Sequence, residues 1–295
     1  MRGSKFDFYR ANLQNKLGLF ASKPTYILFY IDRLRKYTGL ADFDAFMISY
    51  PKSGRTWLQK MLIEAVQLQS GATIDGGDVS KVHEIESSFP RMLSTHAGSS
   101  WEEVIKNDVE ITHDDYDSYQ HAKIIYLYRD PRDVLVSQYY HILHRTKYTG
   151  FKKEYLIDNP NVGLKKIINF MNRWARYAIA HKENVYALSY EDLKEDSADH
   201  LLALMNHIGY PVNNEVVTEA LKNCTLDRMR MQESGSTDNP WANTDTGSNH
   251  DVNVFHSRKG ISGEYKEFFT SDQIAHINVI IDQHLNKSYY SNYIG

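Results

Sequence analysis

A chain of 295 residues that is 42% apolar and 13% aromatic carries enough hydrophobic mass for a packed core, which excludes wholesale disorder. Its 34 Lys and Arg nearly balance 37 Asp and Glu, giving a net charge of −3. A duplex-DNA binder needs a basic surface, so no nucleic-acid partner is expected, whereas a local basic pocket for a small anion stays open. The single cysteine, Cys224, can form neither an internal disulfide nor a Cys-built zinc site, and reads as a small buried apolar residue. No stretch approaches the ~20 apolar residues of a membrane span. The best short run, Tyr26 to Ile31, is followed at once by Asp32, Arg33 and Arg35, and lacks a small-residue cleavage site. The expectation is a soluble, cytoplasmic protein with no membrane partner.

In chain order, residues 1–44 read as an N-terminal segment packing on the domain, with a helix over Thr25–Tyr37, and residues 45–295 as one domain. Ala45 to Tyr50 (AFMISY) predicts a short buried strand. A break at Pro51–Gly54 leads into a helix over Thr56–Gln69, with Trp57, Met61, Ala65 and Leu68 on one face. The pattern recurs at Lys123–Tyr128 (KIIYLY), a strand turning through Arg129 and Asp130 into a helix that starts near Pro131. A long helix over Gly163–His181 precedes a third strand, Asn184–Tyr190, and helices over Ser197–Ile208 and Asn214–Asn223. Strands separated by helices imply a parallel sheet covered on both faces. Gln232–Phe255 is polar, holds Trp241 and Phe255, and has no period; so long a loop reads as a lid, a binding loop or a disordered surface insert. A last helix spans Ser271–Leu285.

Three segments carry chemistry. In Tyr50-Pro51-Lys52-Ser53-Gly54-Arg55-Thr56-Trp57, a glycine turn between strand and helix points backbone N–H groups at one spot, and the helix dipole makes that spot suit a phosphate. Lys52 adds an ammonium, and Ser53 and Thr56 add hydroxyl donors. The Walker pattern, with lysine after its last glycine, is absent, which counts against an ordinary ATP or GTP hydrolase. In the segment Arg129 to Ser137, Arg129 sits at a strand's C-terminal end, where open α/β sheets bind ligands, and Ser137 lies two turns into the next helix. A guanidinium fork and a hydroxyl could hold a second phosphate there. The third segment, Arg258-Lys259-Gly260-Ile261-Ser262-Gly263-Glu264-Tyr265-Lys266, is a basic loop after the long polar stretch.

In this order the three segments resemble the PAPS-dependent cytosolic sulfotransferase family, which uses 3′-phosphoadenosine-5′-phosphosulfate (PAPS) as sulfuryl donor and leaves adenosine 3′,5′-bisphosphate (PAP). The first matches that family's YPKSGTTW loop, with Arg55 for one threonine. The second matches its 3′-phosphate motif. The third matches RKGxxGDWK, with Glu264 for Asp and Tyr265 for Trp. The likeness spans roughly Phe46 to Phe269. It implies a single α/β domain with a central parallel sheet of about five strands and a P-loop-like strand–loop–helix around the phosphosulfate. It also implies that Lys52 stabilises the leaving oxygen, that Ser53, Gly54, Arg55 and Thr56 hold the 5′-phosphate, and that Arg129, Ser137, Arg258, Lys259 and Gly260 hold the 3′-phosphate. Trp57 and Tyr190 fall at the adenine. His96, at the end of Ser87–His96, matches the family's general base, a role that suits an imidazole. No metal is required.

Departures are visible too. Ser94 stands where the family often has lysine, and Leu226 replaces an adenine-stacking ring. The family's dimer signature, KxxxTVxxxE, is degraded to Lys266, Thr270-Ser271 and Ala275, so dimerisation by that route is not supported. The expected reaction is in-line sulfuryl transfer to a hydroxyl or amine of a small-molecule acceptor, as in modification of a natural product. The absence of a membrane anchor speaks against the Golgi type that sulfates glycans and tyrosines. A P-loop nucleotide kinase would need a Walker lysine and a magnesium carboxylate. A non-catalytic PAP-binding protein would have lost the histidine.

Overall fold

Residues 40–99, 119–145, 151–235 and 258–294 are described in the computed structural model. The chain divides into two units, residues 1–42 and 43–295. Of the first, only the 3₁₀ turn Leu40–Asp42 is described. The helix expected over Thr25–Tyr37, the packing of the N-terminal segment, and the stretch with Trp241 and Phe255 lie outside the described residues.

In the second unit, β1 (Ala45–Ser49) is buried at all five positions and leads into α1 (Arg55–Ser70). A short helix, α2 (Val82–Ile85), precedes β2 (Met92–Thr95). Then follow β3 (Lys123–Tyr128), α3 (Pro131–Arg145), α4 (Leu164–Ala180) and β4 (Val185–Ser189). The helices α5 (Tyr190–Glu195), α6 (Ser197–His207), α7 (Asn214–Asn223), α8 (Leu226–Gly235), α9 (Tyr265–Phe268) and α10 (Ser271–His284) complete the unit. The strands form one parallel sheet in the order β2-β1-β3-β4, with Ala45 opposite both Met92 and Lys123, and Ile124 opposite Val185. The fold is the expected α/β domain, with four strands among the described residues rather than about five.

Alternate residues of the central strands face opposite layers, as the pleat requires. Met47, Ile125, Leu127 and Leu188 join a core with Leu58, Met61 and Leu62 of α1 and with buried residues of α6 and α7. On the other face Tyr126 meets Phe170 and Trp174 of α4, at ring-centroid distances of 6.4 and 6.2 Å. Both faces are covered, so β1 and β3 read as continuous apolar runs. The edge strand β2 (MLST) buries only Met92, which is why no apolar run announces it.

Several expected boundaries shift. The first strand stops at Ser49 and β4 at Ser189, because Ser189 caps α5 by accepting from the Asp192 N–H. The buried stripe of α1 runs through Leu58, Met61, Leu62, Ala65 and Val66, while Leu68, expected inward, is 38% exposed in the last turn. Gly71 closes α1 in the left-handed region, its N–H bonding the Gln67 carbonyl. Residues 232–235, expected in the polar loop, complete α8. Among the described residues no helix is long and apolar enough to cross a membrane.

Candidate active site

Each strand hands the chain to a candidate residue at its C-terminal end: β1 to the 50–54 loop, β2 to His96, β3 to Arg129 and β4 to Tyr190. That edge of an open parallel sheet is where ligands bind.

The first loop turns on two left-handed residues. Lys52 has φ 74°, the one non-glycine in that region among the described residues, and Gly54 has φ 98°. Gly54 is the N-cap of α1 and offers no side-chain cap, an end that suits an oxyanion. A Cβ at Gly54 would stand 2.5 Å from Cδ2 of Tyr190, so the aromatic ring lies directly against the glycine. Ser53 is buried, Arg55 half-buried and Thr56 exposed.

Arg129 is buried where the three segments meet. Its Nη1 donates to the Lys52 carbonyl at 3.4 Å and its Nη2 to the Ile261 carbonyl at 2.8 Å. Its guanidinium lies 4.4 Å from the Tyr190 ring centroid. The Arg129 Nε is buried and has no hydrogen-bond partner among the described residues. An unmet buried donor costs about 1–3 kcal/mol, so this atom asks for an acceptor. Asp133, one turn along α3 at 3.9 Å from Nη2, accepts the N–H groups of Gly263 at 2.6 Å and Tyr265 at 3.1 Å. It ties the third segment to the second. Burial pushes its carboxyl upward, against the pull of Arg129 and the two amides. Ser137 lies one further turn along, half-buried.

In the third segment Gly260 has φ 64°, and a Cβ there would sit 3.3 Å from Leu226 and 3.8 Å from the Tyr190 hydroxyl. Trp57 closes the same wall: its ring is 5.8 Å from that of Tyr190, and its Nε1 donates to the Cys224 carbonyl at 3.0 Å. Trp57, Tyr190, Leu226 and Gly260 are therefore brought together, and Leu226 occupies the wall although it is not aromatic. Both Arg258 Nη groups donate to Glu264, and Lys259 pairs with the same carboxylate at 3.1 Å. Although burial pushes Glu264 up, these two cations hold it below the usual carboxylate range. In this arrangement Arg258 braces its own loop and stacks over Tyr140 at 4.4 Å, while Lys259 is 38% exposed.

His96 follows β2, and its Nδ1 hydrogen-bonds the Ser49 carbonyl at 2.7 Å. A carbonyl only accepts, so Nδ1 carries the proton and Nε2 keeps its lone pair. Burial, then the positive charges of Arg55 and Lys52, pushes the imidazole down to about 3. The ring is neutral and oriented, beside the two cations of the first loop. Sequence reasoning missed β2, the Ser49 carbonyl that orients His96, and Asp133. Asp133 was legible only as an acidic residue in the first turn of α3.

The sulfotransferase domain family matches residues 42–289. A flavonol 3-sulfotransferase of Flaveria bidentis is 24% identical over 82% of this chain and 81% of its own length. An amine sulfotransferase of Oryctolagus cuniculus is 25% identical over 83% and 82%. A mouse sulfotransferase crystallised with PAP superposes with a TM-score of 0.55 at 22% identity, covering 85% of this chain and 89% of that one. Retinol dehydratase in complex with androsterone and PAP gives 0.56 at 16% identity, covering 86% and 85%, and like the mouse protein it supports the fold. With three ordered motifs gathered at one sheet edge and a family match over most of its length, the chain belongs to the PAPS-dependent cytosolic-type sulfotransferase family and is an enzyme of that class.

Proposed function

We propose that the protein moves a sulfuryl group from PAPS to a hydroxyl or amine of a small-molecule acceptor, with His96 as general base and no metal. The donor supplies a sulfuryl group on a phosphate anhydride and leaves as PAP. The residues present fit such a bisphosphorylated nucleotide. The unpartnered Arg129 Nε sits at the meeting point of three basic loops, an uncapped helix end faces the first loop, and Gly54 and Gly260 leave the space that Tyr190 and Leu226 fill. Ser53, Gly54, Arg55 and Thr56 would hold the 5′-phosphate, and Arg129, Ser137, Lys259 and Gly260 the 3′-phosphate. Arg258 would serve that site through its loop, since Glu264 takes both its Nη groups. Trp57, Tyr190 and Leu226 would flank the base. Lys52 would hold the negative charge that grows on the departing oxygen.

The observation that carries the catalytic assignment is the bond from His96 Nδ1 to Ser49. It leaves Nε2 as the ring's proton acceptor, fixed at the edge where the phosphate loop begins. The acceptor's proton passes to Nε2 as its oxygen or nitrogen attacks sulfur, and positioning and charge do the rest. The amine and flavonol activities named for the relatives suggest the acceptor panel: phenols, alcohols and amines. Incubation of that panel with PAPS, read by mass spectrometry for sulfated product, tests the proposal. Tight PAP binding with no product from any acceptor or hydrolysis to PAP would instead favour a binding protein.

A further inference from the structure

A cavity of about 310 Å³ opens beside the C-terminal ends of β3 and β4, against the last residues of the chain. That is at the low end of the ~300–1,000 Å³ of small-molecule sites. None of Lys52, His96, Arg129, Tyr190 or Arg258 lines it. Tyrosines do: Tyr128, Tyr265, Tyr289, Tyr290 and Tyr293. The Tyr128 ring stands 6.2 Å from that of Tyr289, 5.2 Å from Tyr290 and 6.2 Å from Tyr293, at angles of 58°, 73° and 79°. At such angles none of the three stacks face to face on Tyr128, and the Tyr265 ring already meets the Arg132 guanidinium at 4.5 Å from its centroid.

Charge in the lining is uneven. Asp130 and Arg132 cancel each other through bonds of 2.9 and 2.8 Å, and Lys266 is exposed. Two carboxylates remain, against the one exposed ammonium of Lys266. Glu191 accepts from the Tyr293 hydroxyl at 2.6 Å and from the Asp130 N–H at 3.3 Å. Asp192, half-buried, has no hydrogen-bond or ion-pair partner for its carboxylate among the described residues. Burial first, then Tyr289 and these two carboxylates, drives the Tyr128 phenol upward, which places the negative charge near that ring.

We propose that this cavity is a second ligand site, for a small organic cation of the alkylammonium class. Tyrosine faces attract a cation, and an unpaired carboxylate in a partly desolvated wall supplies the counter-charge. An anion would meet Glu191 and Asp192, and a neutral guest would leave Asp192 unanswered. The site lies one residue behind the donor machinery, since Glu191 follows Tyr190 and Asp130 follows Arg129.

The test is calorimetric titration of the full chain, near neutral pH and with saturating PAP, using tert-butylammonium and its neutral near-isostere tert-butanol. Saturable one-to-one binding of the ammonium is expected, at least about tenfold tighter than the alcohol. Asp192→Asn and Tyr289→Leu should each weaken the ammonium roughly fivefold or more. Equal affinity for the two probes, no saturation by about 20 mM, or unchanged affinity in either variant overturns the proposal. The probe pair needs no variant, so it decides the matter even if a substitution unfolds the chain.

Discussion

Replacing Arg129 by alanine should separate PAP from a nucleotide that lacks the 3′-phosphate. The side chain is 10% exposed, so its charge acts in a partly dry setting, and its Nε has no partner among the described residues. A charge-assisted hydrogen bond in that setting is worth about 1.5–3 kcal/mol, or roughly 10- to 150-fold in affinity. The substitution has a second effect. Arg129 also bonds the carbonyls of Lys52 and Ile261 and stacks on Tyr190, so its loss loosens loops that any adenine nucleotide would use. That effect weakens PAP and adenosine 5′-monophosphate alike, and it cancels in their ratio. Calorimetric titration of wild type and Arg129→Ala with both nucleotides should therefore show the PAP/AMP affinity ratio falling by roughly 10- to 150-fold. Arg129→Lys keeps the charge without the fork and should fall between the two. Equal losses for both nucleotides would show that Arg129 braces loops and does not read the 3′-phosphate.

Further outcomes are expected for His96 and for two glycines. His96→Ala should lower turnover with any acceptor found by screening by about 10²–10⁴-fold while PAP affinity stays within a few-fold; substantial residual activity would place the base elsewhere. Because kcat/KM reports the free enzyme, whose His96 is already neutral with a pKa near 3, that profile should show no histidine limb between about pH 5 and 8. The same depressed value means the unfolded chain, at the ordinary 6.5, binds more protons between about 3 and 6.5. The His96 contribution to stability is thus full above that window and is lost as pH falls through it, and acid unfolding of His96→Ala should lack this component. Gly54→Ala should lose about 1–2 kcal/mol to its left-handed φ, roughly 2–8 °C in melting temperature, and should also displace Tyr190 and weaken PAP. Gly71→Ala, with φ 72° and nothing within 4 Å, should show the stability loss without the binding loss.

Much of this protein was legible in its linear order, for a physical reason. Strands buried on both faces must be apolar throughout, so β1 and β3 stand out of the chain as Ala45–Ser49 and Lys123–Tyr128. The helices that cover them carry a 3.6-residue stripe that identifies α4, α6, α7 and α10 within one residue at each end. Glycine and cations in a fixed local order are visible in any sequence, so the three motifs could be read directly, and their resemblance to a known family supplied the enzyme class. The failures have a shared cause. β2 is an edge strand of four residues with one fully buried side chain, and nothing local marks it. Leu68 has helical spacing from Trp57, but α7 and the sheet together select a different stripe of α1.

The chain's order alone places Lys52, His96, Arg129, Tyr190 and Gly260 in separate segments as much as 208 residues apart. Parallel pairing decides that four of them follow strands ending at one edge, and that Ser49 lies beside His96 to set its tautomer. Only the packed structure shows Tyr190 against Gly54, Arg129 bridging the first and third segments, and Asp133 clamping Gly263. Those contacts depend on distances between residues remote in sequence. A local pattern encodes which groups a loop can offer, whereas the sheet's register and the layers around it decide which of those groups meet.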